Sequence, residues 1–183
     1  MRIISGNFRG KKINAPANLP VRPTTDFAKE ALFNLLNNRY YFDEISVLDL
    51  FFGIGSITLE FASRGCEKMV AVDQDSGCVK FLSEVTKDLK VEDKISVLRN
   101  DVFQFLKRNN QGQFDVVFAD PPFTFSQEDY LKLIHLVKDN QWLAEDGELI
   151  VEHSSRFQFD SEPGFVQTRN YGNVRFSFFE WNA

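Results

Sequence analysis

From residue 46 onward, short apolar runs alternate with segments whose apolar residues recur at helical spacing, and this alternation constrains the fold more than any other feature. It predicts a parallel sheet with helices on both faces. Near-continuous apolar strands are typical of such a sheet. The predicted strands are Ser46–Phe51, Met69–Asp73, Ile95–Arg99, Phe114–Ala119 and Glu148–His153, and the predicted helices are Ser56–Arg64, Ser76–Leu89, Val102–Arg108 and Glu128–Asn140.

The C-terminal segment departs from this alternation. Phe165–Tyr171 and Arg175–Trp181 are two predicted strands separated by only three residues, a spacing that indicates a hairpin. We therefore predict a doubly wound α/β sheet of seven strands, Rossmann-like and mostly parallel, that ends in an antiparallel pair.

The first 40 residues predict a separate extension. Arg2–Ser5 and Lys11–Asn14 are two predicted short strands, which indicate a hairpin around Gly10. Thr25 or Asp26 is expected to cap a following helix. Its predicted apolar stripe is Phe27, Ala28, Ala31, Leu32, Leu35 and Leu36. We accordingly divide the chain into an extension of residues 1–40 and a main domain of residues 41–183.

Charge is unevenly distributed along the chain. The 183 residues carry a net charge of -5, yet residues 1–30 hold six basic and two acidic residues. A basic arm on an acidic body suggests contact with a polyanion or an ordinary solvated segment. Two cysteines and two histidines indicate neither a disulfide framework nor a metal cluster. The sequence shows no signal peptide and no membrane span, so we expect a cytoplasmic protein. We also expect it to be a monomer.

Polar residues follow the predicted strands at the edge where ligands bind in open α/β sheets. The first strand runs through Asp49 into a loop with Gly53 and Gly55, whose backbone N–H groups a ligand can approach. Asp73 ends the second strand, where an acid can accept hydrogen bonds from ribose hydroxyls. Asn100 and Asp101 end the third, where they can meet an adenine amine. Each signal is weak alone, but their order favours a nucleoside site.

The fourth strand ends in Asp120-Pro121-Pro122-Phe123, the most specific motif in the chain. Two prolines fix the backbone and remove two N–H donors, so the loop presents acceptors. A carboxylate followed by outward carbonyls suits a planar amine with two N–H bonds. Phe123 can stack on the base that carries that amine.

These motifs resemble those of methyltransferases that act on nucleobase amines, and Asp49-x-Phe51-x-Gly53-x-Gly55 is similar to the S-adenosylmethionine loop of class I methyltransferases. The chain resembles the RsmD family in particular, over nearly its whole length. The matching pieces are Gly6 with Arg9-Gly10, Arg22 to Asp26, Leu59-Glu60, Ala62 to Gly65, Asp120 to Phe123 and Tyr171-Gly172. Phe52, Ile54 and Asp73 depart from the family pattern.

The resemblance implies methyl transfer from S-adenosylmethionine to the N2 amine of a guanine in small-subunit ribosomal RNA, either free or in an assembled particle. The implied catalytic residues are Asp120, Pro121, Pro122 and Phe123. The implied cofactor contacts are Asp49, Phe51, Gly53, Gly55, Asp73, Asn100 and Asp101. The implied RNA contacts, made largely to phosphates, are Arg9, Lys11, Lys12, Arg22, Thr24 and Thr25.

Three other functions remain open at this point. Methylation of adenine N6 is compatible with the Asp-Pro-Pro-Phe motif, although the chain has no obvious additional target-recognition segment. A nucleotide-binding oxidoreductase is disfavoured because Thr58 stands where a dinucleotide fingerprint has its third glycine. A non-catalytic RNA-binding module is disfavoured by the intact glycine loop.

Overall fold

The computed structural model of the protein describes residues 1–19, 24–108 and 112–181. Within these ranges the strands are β1 Ser46–Leu50, β2 Lys68–Asp73, β3 Ile95–Arg99, β4 Phe114–Ala119, β5 Leu143–His153, β6 Phe165–Tyr171 and β7 Val174–Phe179. The helices are α1 Asp26–Leu36, α2 Ser56–Ser63, α3 Ser76–Asp88, α4 Val102–Leu106 and α5 Gln127–Asp139. No described helix is long and apolar enough to cross a membrane.

All seven strands form one sheet in the order β3-β2-β1-β4-β5-β7-β6. The first five in this order pair in parallel, whereas β7 is antiparallel to both β5 and β6. This confirms the predicted fold class. The strand order reverses between β1 and β4, so the carboxyl ends of these two strands flank the crevice where such sheets bind ligands.

The largest difference in strand bounds concerns β5, which begins at Leu143 rather than at the predicted Glu148. The added residues include two exposed acids, Glu145 and Asp146, and a glycine, so they lack the apolar pattern of a buried strand. The pairing with β4 is also irregular between Phe114 and Val116. A Cβ at Gly147 would lie 2.8 Å from the Phe114 carbonyl oxygen, so the close approach of the two backbones requires glycine there.

Helix α1 has the predicted start but not the predicted buried face. The Thr25 side chain caps it by accepting a hydrogen bond from the backbone N–H of Ala28. Phe27 is 66% exposed, whereas Lys29 and Phe33 are fully buried. The predicted stripe was wrong at these positions because the N-terminal segment and α2 cover a second side of α1, as the hydrogen bond from Lys29 Nζ to the Arg2 carbonyl shows.

The two predicted N-terminal strands pair antiparallel around Gly10, as expected, but only over a short stretch. The pairing consists of one bridge between Arg2 and Lys12 and of backbone hydrogen bonds such as that from the Ile3 N–H to the Lys11 carbonyl. Ile3 and Ile13 nevertheless belong to the core that packs under α1, α2 and α3. The segment is held by the buried Glu60 carboxylate, which accepts the backbone N–H groups of Ile4 and Ser5 at 2.8 and 3.0 Å. Backbone pairing between residues 1–3 and 10–13 and side-chain anchoring by Glu60 together fix this part of the chain.

Candidate active site

The loop between β1 and α2 has the tight geometry expected from its glycines. Phe51, Gly53 and Gly55 have positive φ values of 61°, 56° and 76°. Gly55 is the N-cap of α2, and a Cβ there would lie 2.5 Å from Leu82 Cδ1. The loop therefore turns closely over α3, where Leu82 leaves no room for a side chain at Gly55.

The departures from the family pattern inside this loop are buried. Phe52 and Ile54 are only 6% and 4% exposed, so their side chains pack into the protein. Phe51 and Gly53, which lie on either side of Phe52 in the sequence, are partly exposed. The unusual residues therefore change the packing beneath the loop rather than the surface that faces a ligand.

Asp49, a residue of β1, stabilises this loop by binding the start of α2. Its side chain is 2% exposed, and Oδ2 accepts hydrogen bonds from the backbone N–H and the hydroxyl of Thr58. Burial raises the pKa of Asp49 to about 7, although the two Thr58 hydrogen bonds oppose the rise. Thr58, which argued against a dinucleotide fingerprint, thus fastens α2 to β1.

Asp73 joins the loop to the end of β2. Its Oδ2 accepts the N–H of Gly53 and its Oδ1 accepts the N–H of Asp75, each at 2.9 Å. Burial raises the pKa of Asp73, while these backbone hydrogen bonds lower it. Because each carboxylate oxygen has a second lone pair, Asp73 retains acceptor capacity for ribose hydroxyls.

Asn100 and Asp101 lie at the same edge, after β3. The Asn100 N–H donates to the Asp73 carbonyl at 3.0 Å, and Asp101 Oδ1 accepts the N–H of Gln104, which caps α4. The Asp101 side chain is exposed. The structure therefore brings both predicted residues next to Asp73, with one Asp101 oxygen used for capping.

An aromatic cluster borders this edge, and the sequence analysis selected one of its rings, Phe51, but not Phe103 or Phe125. The rings of Phe103 and Phe125 stack at 5.7 Å with an interplanar angle of 10°, and Phe51 meets Phe125 edge-on at 5.4 Å. Lys132 Nζ lies 4.4 Å from the centre of the Phe103 ring. Phe103 and Phe125 follow strand-ending acids by only two and five residues, and that spacing was the available signal.

The Asp120–Phe123 loop follows β4 at the switch point. The Pro122 carbonyl accepts the N–H of Phe125, and Arg156 donates to the Phe123 carbonyl at 2.7 Å. Within the described residues, neither the Asp120 carboxylate nor the Pro121 carbonyl accepts a hydrogen bond. The Phe123 ring is 86% exposed. This loop thus holds two acceptors without a donor among the described residues and one exposed ring.

Asp120 has an acidic neighbour that sequence reasoning missed. Ala119 pairs with Val151, so the next residues along β4 and β5, Asp120 and Glu152, lie side by side. Burial raises the pKa of Asp120 well above its ordinary value, and the Glu152 and Asp49 carboxylates raise it further. The sequence analysis places Glu152 in a predicted strand and gives it no role in the site, because nothing in the sequence pairs it with Asp120.

The predicted RNA contacts are not gathered in one place. Arg9, Lys11 and Lys12 are exposed and form no ion pair within the described part of the chain. Arg9 lies in a turn that packs on Ser63, at the end of α2 remote from the glycine loop. A Cβ at Gly6 in this turn would lie 1.8 Å from the Ser63 carbonyl oxygen.

The other predicted contacts have structural partners or fall outside the description. The Thr25 side chain caps α1, and the buried Thr24 hydroxyl donates to Glu152 at 2.7 Å. Arg22 lies outside the described residues. Arg156 is an exposed cation at the Asp120–Phe123 loop that the sequence analysis did not select. In the described ranges no group of three or more His, Cys, Asp or Glu side chains could hold a metal ion.

Comparison with known proteins matches residues 1–180 to the model of the family described as conserved hypothetical protein 95. YlbH of Bacillus subtilis, provisionally named an rRNA methyltransferase, is 36% identical over 173 residues, covering 92% of this chain and 91% of that protein. Ribosomal RNA small subunit methyltransferase D of Haemophilus influenzae is 36% identical over 154 residues, covering 83% and 78%.

A solved structure is similar over the whole chain. YhhF of Escherichia coli, provisionally named a methyltransferase, superposes with a TM-score of 0.85 at 26% identity and covers 100% of this chain and 98% of its own. The similarity therefore includes the N-terminal segment as well as the sheet.

Proposed function

Since the chain belongs to the family of conserved hypothetical protein 95, the RsmD family of S-adenosylmethionine-dependent methyltransferases, we propose that it methylates the N2 amine of a guanine in small-subunit ribosomal RNA. The class of RNA follows the name of the Haemophilus influenzae relative. The choice of an exocyclic amine rests on the Asp120–Phe123 loop.

The single observation that carries the proposal is the pair of acceptors at this loop. The Asp120 carboxylate and the Pro121 carbonyl have no hydrogen-bond donor among the described residues, and both follow β4 at the switch point. An exocyclic amine presents two N–H bonds in one plane, whereas a ring nitrogen or a ribose hydroxyl does not. Two adjacent acceptors therefore favour an amine as the methylated group.

The neighbouring residues fit S-adenosylmethionine. A Cβ at Gly55 would collide with the buried Leu82, so glycine is required for the loop to pack this closely on α3. Asp73 is suited to the ribose, Asp101 to the adenine amine, and Phe51 with Phe103 to the apolar faces. When bound, S-adenosylmethionine supplies a methyl group on a positively charged sulfur. The sulfur keeps the electron pair of the S–C bond that breaks as N2 forms the new N–C bond.

The chain's own contribution is to orient and stabilise the amine. Its nitrogen is a poor nucleophile because the lone pair is delocalised into the guanine ring. Hydrogen bonds from N2 to Asp120 and Pro121 become stronger as positive charge develops on N2, which stabilises the transition state. The surplus proton then leaves N2 through Asp120 to water. Phe123 stacks on the guanine, which must be unstacked from its RNA to reach the loop.

Nucleoside mass spectrometry tests the proposal directly. Small-subunit rRNA from cells with and without the gene is digested, and purified protein is then added to rRNA or particles from the cells that lack it. We expect N2-methylguanosine to be lost with the gene and restored by the protein. N6-methyladenosine, N7-methylguanosine or a ribose methyl as the dependent product would overturn the proposal.

A further inference from the structure

The Asp120–Glu152 pair, together with Thr24, is an arrangement that the proposed mechanism leaves unused. Glu152 is partly buried at the carboxyl end of β5, and its Oε2 accepts the hydroxyl of the buried Thr24 at 2.7 Å. Thr24 lies just before Thr25, the N-cap of α1. Its hydrogen bond to Glu152 therefore joins residues that are 128 positions apart in the sequence. A hydrogen bond donated to a carboxylate favours its ionised form.

Strand register sets the relation between the two acids. Phe118 pairs with Ile150 and Ala119 with Val151. Side chains of adjacent parallel strands at the same register lie on the same face, with backbones about 4.8 Å apart. The carboxylates of Asp120 and Glu152 therefore share one side of the sheet edge.

We infer that Glu152 is a positioning residue for the methyl transfer: held by Thr24, its carboxylate strengthens Asp120 as an acceptor for the guanine amine and its departing proton. The inference rests on the proposed function, because it assigns Glu152 a role in that reaction. It acts through Asp120, since a negative charge beside a carboxylate makes the latter bind protons and N–H donors more strongly.

Several other groups act on the same pair. The acid on the opposite side of Asp120 is Asp49 on β1. Burial raises the pKa of Tyr130 on α5, the Asp120 and Glu152 carboxylates raise it further, and Arg156 opposes the rise. Burial likewise raises the pKa of Glu152, against which the Thr24 hydrogen bond works. Among these groups, Glu152 is the one that lies beside Asp120 on the neighbouring strand and also accepts a hydrogen bond from the Thr24 side chain.

The pair should titrate as a unit in the free enzyme. Asp120 accepts the amine best when ionised, so the transfer rate should fall as the pH falls through the raised pKa of Asp120. Substituting Glu152 by a neutral group removes a like charge and lowers that pKa. The fall in rate should then occur at a lower pH.

The test is the single-turnover rate of methyl transfer to rRNA as a function of pH for wild type and Glu152→Gln. We expect the acid limb of Glu152→Gln to move down by about one pH unit, as for other paired carboxylates. Its rate at high pH should drop severalfold because Asp120 is then a weaker acceptor. Thr24→Val should move the limb in the same direction by less, because Glu152 becomes easier to protonate.

Two further variants separate positioning from structural support. Glu152→Asp keeps the charge and should retain the wild-type limb. If Glu152→Gln does not fold, the shift expected for Thr24→Val carries the test. Glu148→Gln removes another buried carboxylate from β5, about 13 Å away along the strand, and should leave the limb in place. A Glu152→Gln limb identical to that of wild type, or a Glu148→Gln limb shifted equally, would overturn the inference.

A different result would overturn the proposed function itself. If the wild-type protein methylates no guanine N2, the product analysis reports it before any pH profile is compared. If wild type forms N2-methylguanosine but both Glu152→Gln and Thr24→Val keep its limb, the function stands and the role of Glu152 does not.

Discussion

The two halves of the site differ in what their carboxylates bind within the chain. On the β1–β3 side, Asp49, Asp73 and Asp101 each accept hydrogen bonds from backbone N–H groups. On the β4–β5 side, Asp120 accepts none from the described residues and lies beside another acid, Glu152. The first arrangement fixes loop shape before a cofactor binds. The second leaves an acceptor without an internal donor, and no hydrogen bond opposes the rise of its pKa that burial and the Glu152 and Asp49 carboxylates cause.

From this contrast we expect one half to contribute mainly to binding and the other mainly to the rate. Acids already bonded to the backbone contribute by holding a rigid cradle, so their loss should affect affinity. An acceptor without an internal partner interacts most strongly with charge that develops during reaction, so its loss should affect the rate. Measurements that separate affinity from rate therefore test this division.

The largest effect is expected for Asp120→Ala. Removing one preorganised stabilising group should lower the single-turnover rate by roughly a hundredfold or more. Cofactor affinity, measured by calorimetry, should change far less. Asp120→Asn should be partly active because an amide oxygen still accepts one N–H bond. An Asp120→Ala enzyme that lost affinity but kept its rate would contradict the division between the halves.

Much of this division could be predicted from the sequence. The apolar runs and the residues that follow them located the parallel strands, the glycine loop and all four strand-end acids, because these depend on local pattern and on the geometry common to parallel sheets. The carboxyl ends must meet at one edge whatever the details of packing.

The remainder depends on contacts between distant residues. Glu152 pairs with Asp120 only through strand register, and Thr24 reaches Glu152 only because α1 packs against the sheet. The burial of Lys29 follows from the N-terminal segment that covers it. None of these contacts leaves a periodic or local signal, so the partners of Asp120 and the buried face of α1 could not be predicted.

An intermediate effect is expected for Asp73→Ala. It removes an acceptor for ribose and releases the Gly53 N–H, so S-adenosylmethionine affinity should fall by about tenfold, the usual scale for hydrogen bonds to a charged group. The matched control is Asp75→Ala, which removes the N-cap of α3. It should lower stability by about 1 kcal/mol with little change in affinity. Calorimetry that detected NAD binding but no S-adenosylmethionine binding would contradict the cofactor assignment.

The smallest effect is expected at the basic arm, where Arg9, Lys11 and Lys12 are exposed and unpaired within the described chain. Arg9 is separated from the glycine loop by the eight residues of α2, about 12 Å. Contacts at that distance reach phosphates flanking the target rather than the target itself. The arm should therefore add RNA affinity without contributing to either half of the site.

The triple variant Arg9→Gln, Lys11→Gln, Lys12→Gln should weaken rRNA binding and flatten its dependence on salt. Each lost phosphate contact should reduce the log–log slope by about 0.7 for single-stranded RNA and up to about 0.9 for a duplex. Cofactor affinity should be unchanged. The control with the same charge change is Lys107→Gln, Arg108→Gln, Lys138→Gln, whose residues are exposed around α4 and α5. Because both variants alter net charge equally, a salt slope that flattened to the same extent in each would mean that general charge, and not the arm, attracts the RNA.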